Sequence, residues 1–308
     1  MALVTHHPDP VAPAPGVRPL PARRRIRLPG GALLGVVPFF AYVVVFLAIP
    51  TLVVAIGAFT GDSGGFTLDN VARLGDSYIL TAFGRSILLS AVTALVGAVL
   101  GALLGYALVT AKPDGLLRRV VTAASGVLAQ FGGVTLAFAF IATIGLSGFV
   151  TEFLRDRVGV DIYASGVWLF ELPGLLLVYT YFQIPLMVIV FLPALDGIRP
   201  QWREAAASLG GSTWQYWRMV AMPLLAPPFL GATLLLFANS FSAYATAAAL
   251  VSQGSPIVPL QIRGALTSEV VLGQQNLGKA MALGMIVVVA IVMWLYALLQ
   301  KRSAKWLG

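Results

Sequence analysis

PQWREAAASLGGSTWQYWRMVAMP, residues 200–223, is a polar and charged island between two long apolar runs. Pro200 has the fixed φ and missing N–H that suit a first helical position. Gln201 to Leu209 is rich in good helix formers, three of them consecutive alanines. Gly210 supplies a residue that reaches positive φ without steric cost, and Ser212 with Gln215 has the S-x-x-Q form of a capping box opening a second helix. The stretch therefore predicts a helix, a glycine turn and a helix. On the first of these, Trp202, Ala206 and Leu209 recur at the spacing of one face, and the alanines beside Glu204 leave a low profile for close docking.

What surrounds the island is membrane. The 308 residues are 58% hydrophobic and only 10% charged, with a mean hydropathy of +0.89, so polar side chains are too few to cover a soluble globule of this size. Apolar runs of spanning length occur at 32–59, 86–108, 120–146, 172–195, 224–251 and 280–299. The first carries Pro38 and Pro50, which should kink it. The second carries Gly97, Gly101 and Gly105, a small-residue face that allows close approach by a neighbouring helix. Gly132-Gly133 lies near the middle of the third, where a helix can bend. The expected fold is an all-α polytopic membrane domain over 30–308, with the loop 196–223 between the fourth and fifth of six spans. Residues 1–29, rich in proline and ending in Arg23-Arg24-Arg25-Ile26-Arg27, are expected to be a disordered basic tail.

Basic residues set the orientation. The tail, Lys112 to Arg119, the island with Arg199 just before it and the C-terminal end hold 14 of the 20 Lys and Arg, all on one side of a six-span chain. By the positive-inside rule that side is cytoplasmic, and both termini share it with the island. The connectors 61–85, 147–171 and 252–278 are then outside, the second with a short amphipathic helix around Phe149, Phe153 and Val158.

Several chemistries are excluded. With no cysteine, and His6 and His7 confined to the tail, the chain offers no thiolate nucleophile and no metal-ligand set, and no cofactor or metal site is expected. Gly273 to Ala280 fits G-x4-G-K, but Ala280 stands where a P-loop needs Ser or Thr, no apolar strand precedes it, and the topology puts it outside. The spans hold no acidic residue, which argues against a proton- or sodium-coupled carrier and against an intramembrane enzyme. Gln183, Asn239, Ser242 and Tyr244, with Tyr179, are polar residues in the fourth and fifth spans; they either line a path or bond across helices.

Glu204, Ala205 and Ala206, then Gly210, then Val220 and Met222-Pro223 reproduce the spacing E-A-A-x3-G-x9-I-x-L-P. The chain thereby resembles the permease subunits of binding-protein-dependent ABC importers of type I (MetI-like), with Val for Ile and Met for Leu as departures. FQIPLMV, LDGIRPQWREAAASLG and FANSFSAYATAAAL are most similar to the branch containing spermidine/putrescine, iron(III), thiamine and phosphonate permeases. The resemblance implies that Glu204, Ala205, Ala206, Gly210, Val220 and Pro223 form a cytoplasmic coupling element docking on an ATPase, and that the fifth span lines the path. It implies as partners two ATPase copies, a second permease and an extracytoplasmic binding protein, in a cell membrane. The alternatives are a secondary carrier or a membrane scaffold whose loop only resembles the motif.

Overall fold

The computed structural model describes residues 30–61, 64–111, 115–251, 257–267 and 274–307; the expected basic tail, 1–29, lies outside them. Six helical segments among them are long and apolar enough to cross a membrane: Val36–Ala58, Ser77–Thr110, Gly133–Val158, Leu172–Asp196, Thr213–Ser242 and Gln274–Leu298. The only strand-like pairing among the described residues is an isolated bridge between Thr60 and Phe66.

The described residues fall into two compact units, 30–50 and 51–307. In the first, α1 (Gly30–Val43) carries Pro38 in its interior and runs into a π turn, Val44–Ala48, ahead of Pro50. A proline cannot donate to the carbonyl four residues back, and its ring crowds that turn. Ile49 donates instead to Val44, five back, and the helix widens where the ring needs room.

The boundary falls within α2 (Ile49–Ala58), and the second unit goes on with one turn of helix, α3 (Asp69–Ala72), and then α4 (Ser77–Thr110). The span expected at 86 thus begins at Ser77, inside the expected connector. Its first turns are held because Ile79 is fully buried against Ala265, Leu277 and Met281. The third apolar run is two helices, α5 (Leu116–Gln130) and α6 (Gly133–Ile144), broken at Phe131 and Gly132, with Gly133 at φ +68°. After α7 (Phe149–Phe153), which continues as a π turn to Val158, α8 (Leu172–Asp196) forms the fourth span.

The island gives α9 (Pro200–Ser208) and α10 (Thr213–Tyr216), and a π turn, Trp217–Ala221, leads directly into α11 (Met222–Ser242). The fifth run was expected to be continuous to 251. It breaks at Ala243 and Tyr244, and α12 (Ala245–Leu250) follows. The connector beyond is not all loop, since it holds α13 (Val258–Thr267), whose first backbone N–H is capped by the Ser86 hydroxyl at 2.9 Å. The last helix, α14 (Gln274–Leu307), starts before the expected 280. Gly273 lies outside the described residues, but Gly278 and Lys279 sit in the helical interior, where no phosphate-cradling loop exists.

The centre of the unit is the α4–α8 crossing. A Cβ at Gly97 would stand 2.4 Å from that of Gln183, and one at Gly101 would stand 2.5 Å from Met187 Cβ and 2.6 Å from the Ile184 carbonyl oxygen. These contacts account for the small-residue face, because only a hydrogen side chain lets the two backbones approach this closely. α11 closes the third side through a 3.0 Å hydroxyl pair between Thr93 and Ser240, both buried.

Candidate functional site

Two places carry the candidate residues: the loop 196–223 and the neighbourhood of the broken fifth span.

The loop leaves α8 at Asp196 and enters α9 through Arg199, whose backbone is extended, with Pro200 as the first helical residue. The helix ends in a Schellman motif. Gly210, at φ +77°, donates its N–H to the Ala207 carbonyl at 3.0 Å, and Gly211 donates to Ala206 at 2.9 Å. Gly210 is required by its left-handed conformation. Gly211 is required by proximity, since a Cβ there would lie 2.8 Å from the Ala206 oxygen. The second helix opens with the expected capping box: the Gln215 N–H donates to the Ser212 hydroxyl at 3.3 Å, and the Ser212 N–H donates to the Gln215 side-chain oxygen at 2.7 Å. Pro223 plays the part that Pro50 plays in the first unit, following a π turn in which Met222 donates to Trp217 five residues back. Val220, half-buried, lies within that turn.

Glu204 and Ala205 are exposed and Ala206 is half-buried. The face expected from Trp202, Ala206 and Leu209 is not a single surface. Trp202 and Ala206 are partly covered, whereas Leu209 is 89% exposed. Leu209 is the C-cap residue and still donates its N–H to the Ala205 carbonyl at 3.1 Å, but it stands at the open end of the helix, where the chain turns away at Gly210.

The second place is a cavity of about 210 Å³ where the break after α5 meets the break after α11. Gly132 and Gly133 line one side, and Asn239, Tyr244 and Thr246 the other, with Phe182 between them. The break in α11 is held open from α8: the Tyr179 hydroxyl donates to the Ala243 carbonyl at 2.6 Å, so that oxygen is satisfied without a helical partner. Asn239 and Tyr244 are therefore brought together at the cavity. Gln183 and Ser242 are not among the residues lining it. Gln183 is fully buried at the α4–α8 crossing, where its Nε2 donates to the Leu236 carbonyl at 2.9 Å. Ser242 is exposed and turns its hydroxyl back onto the Ala238 carbonyl at 2.8 Å. Gly132 and Gly133 are not among the sequence candidates, although the glycine pair marks the bend that makes the cavity, and Thr246 closes the polar stretch of the fifth run that begins at Asn239. No side chain lining it carries a formal charge.

A family model described as "Binding-protein-dependent transport system inner membrane component" matches residues 97–305. The putative ferric transport system permease protein FbpB 1 of Haemophilus influenzae is 28% identical over 204 residues, 64% of this chain and 30% of that protein. The molybdenum transport system permease protein ModB of Escherichia coli K12 is 28% identical over 119 residues, 39% of this chain and 49% of that protein. The chain thus spans less than half the length of these two relatives. In fold it is similar to a chain of a bacterial ABC transporter involved in the import of the acidic polysaccharide alginate, with a TM-score of 0.69 at 17% identity over 90% of this chain and 96% of that one.

Proposed function

Because this chain belongs to the family of binding-protein-dependent transport system inner membrane components, we propose that it is the permease subunit of an ATP-driven importer, forming half of a translocation pore and hydrolysing no nucleotide itself. The observation that carries this is the island. A short helix with an exposed Glu204-Ala205 edge is closed by a Schellman motif and followed by a boxed second helix that continues without interruption into the fifth span. A push on α9 is transmitted through the Gly210 turn to a helix that ends at the cavity.

In this reading α9 docks on a separate ATPase. Glu204 and Ala205 make the contact, Ala206 and Gly210 set the turn, and Val220 and Pro223 form the wide turn that hands movement to α11. The cavity beside Asn239 and Tyr244 is part of the path, and Gln183 supports it from behind. The island and both termini are read as cytoplasmic, which the distribution of basic residues supports. The partners are two copies of the ATPase, a second permease, identical or different, and an extracytoplasmic binding protein. The relatives are named for different solutes, ferric iron in one case and molybdenum in the other. A cavity lined without formal charge fits a division of labour in which the binding protein selects the solute.

The test is purification of the tagged full chain from its own membranes, followed by reconstitution. An ATP-hydrolysing subunit should accompany it, and uptake into proteoliposomes should require ATP. Solute uptake by the chain alone, driven by an ion gradient, would establish a secondary carrier instead.

A further inference from the structure

A larger cavity, about 660 Å³, lies at the foot of the island between α9, α10 and the last turns of α4 and α8. One wall is cationic. Arg199 stands at the start of α9 and Arg203 one turn on, and neither makes an ion pair among the described residues. Glu204 also lines the cavity, so two guanidinium groups face one carboxylate and the wall keeps a net positive charge. The other wall is apolar and aromatic: Val109 of α4, Leu195 of α8, and Tyr106 meeting Trp217 edge-on with ring centroids 5.3 Å apart. Tyr106 and Thr110 are exposed on the flank of the second span, so the cavity is open on the side that faces out from the helix.

The depth of the cavity is fixed by the elements around it. α4 ends at Thr110 and α8 at Asp196, so the arginines stand just beyond the ends of two spans while Tyr106 and Val109 belong to the last apolar turns. That is the arrangement of a phospholipid seen in section, with an anionic phosphate outside and glycerol and upper acyl chain within. A soluble anion would satisfy the arginines but leave the aromatic wall bare. We propose that this cavity binds the headgroup of an anionic phospholipid, which wedges α9 at a fixed angle to the ends of the spans. The proposal rests on the membrane spans and not on the transport reading, so either can fail without the other.

The test is native mass spectrometry of the full chain in detergent, titrated with phosphatidylglycerol or phosphatidylcholine. Phosphatidylglycerol should bind at least about tenfold more tightly, and Arg199→Gln with Arg203→Gln should weaken it by about 30-fold, about fivefold for each basic residue. The double lysine variant should keep most of the binding, and Arg119→Gln, on the same end but outside the cavity, should keep all of it. Three results would overturn the proposal: equal binding of the two lipids, an unchanged preference in the double glutamine variant, or displacement of the lipid by millimolar inorganic phosphate. Loss of a co-purifying ATPase from the glutamine variant with no lipid preference in the parent would assign the arginines to a protein partner instead.

Discussion

Arg118, in the first turn of α5, donates from Nη2 to both carboxylate oxygens of Asp196, at 2.8 and 2.6 Å. Asp196 is the last residue of the fourth span and the first of the loop that carries the island. The pair ties the stem of that loop to α5, the first of the two helices of the third apolar run. Both side chains remain partly open, at 21% and 42% exposure, so the bond adds only about 0.2–1 kcal/mol to stability. Its effect is on direction. Asp196→Asn should leave insertion and yield unchanged but lower uptake by up to about fivefold, the factor that corresponds to about 1 kcal/mol. The exchange Arg118→Asp with Asp196→Arg should recover part of the loss; no recovery would mean that the two residues act separately.

The α4–α8 crossing depends on glycine for a steric reason. Gly101→Val would drive two methyl groups into the Ile184 carbonyl and the Met187 side chain, and overpacking in a fitted contact costs about 1–3 kcal/mol or more. Gly126 on α5 has open space where a Cβ would go. Size-exclusion profiles of the detergent-solubilised protein should show aggregation for Gly101→Val and a normal peak for Gly126→Ala.

That crossing was legible in the sequence because Gly97, Gly101 and Gly105 recur at one helical spacing, and small residues in a membrane helix have few other uses. The island was legible for a similar reason, since Gly210, Ser212 and Gln215 have local conformational roles that need no tertiary context. The break in the fifth span was not. Phe241 to Thr246 contains neither glycine nor proline, and the carbonyl freed at Ala243 is satisfied by Tyr179, 64 residues away. The requirement at Gly211 was hidden for the same reason: it comes from an approach to the Ala206 oxygen that exists only once the helix has turned.

The cavity separates two kinds of polar residue in the spans. Asn239→Leu and Tyr244→Phe, which alter its lining, should change uptake by about tenfold, the worth of one lost hydrogen bond of about 1.4 kcal/mol, while the protein still folds. Gln183→Leu should act on assembly. It removes the 2.9 Å bond to the Leu236 carbonyl and should lower thermal stability with little change in apparent affinity for solute. Equal effects of all three on uptake with no change in stability would place Gln183 in the path.

Orientation can be read with introduced thiols, because the chain has no native cysteine. Ser165→Cys and Gln201→Cys both fall at exposed positions. In intact cells or spheroplasts a membrane-impermeant maleimide should label position 165 and not 201. The reverse pattern would put the island outside and remove it from any ATPase.

The coupling role of the island is tested most directly by uptake per ATP hydrolysed in proteoliposomes holding the Gly210→Val complex. Gly210 sits at φ +77°, where a β-branched residue is strained by about 1–2 kcal/mol, and relief of that strain re-aims the helix that continues into the fifth span. Insertion should be normal and uptake per ATP should fall by more than about tenfold, either because the ATPase is lost or because it hydrolyses without transport. Wild-type uptake per ATP in this variant would contradict the account and leave 200–223 as a connector at the membrane surface.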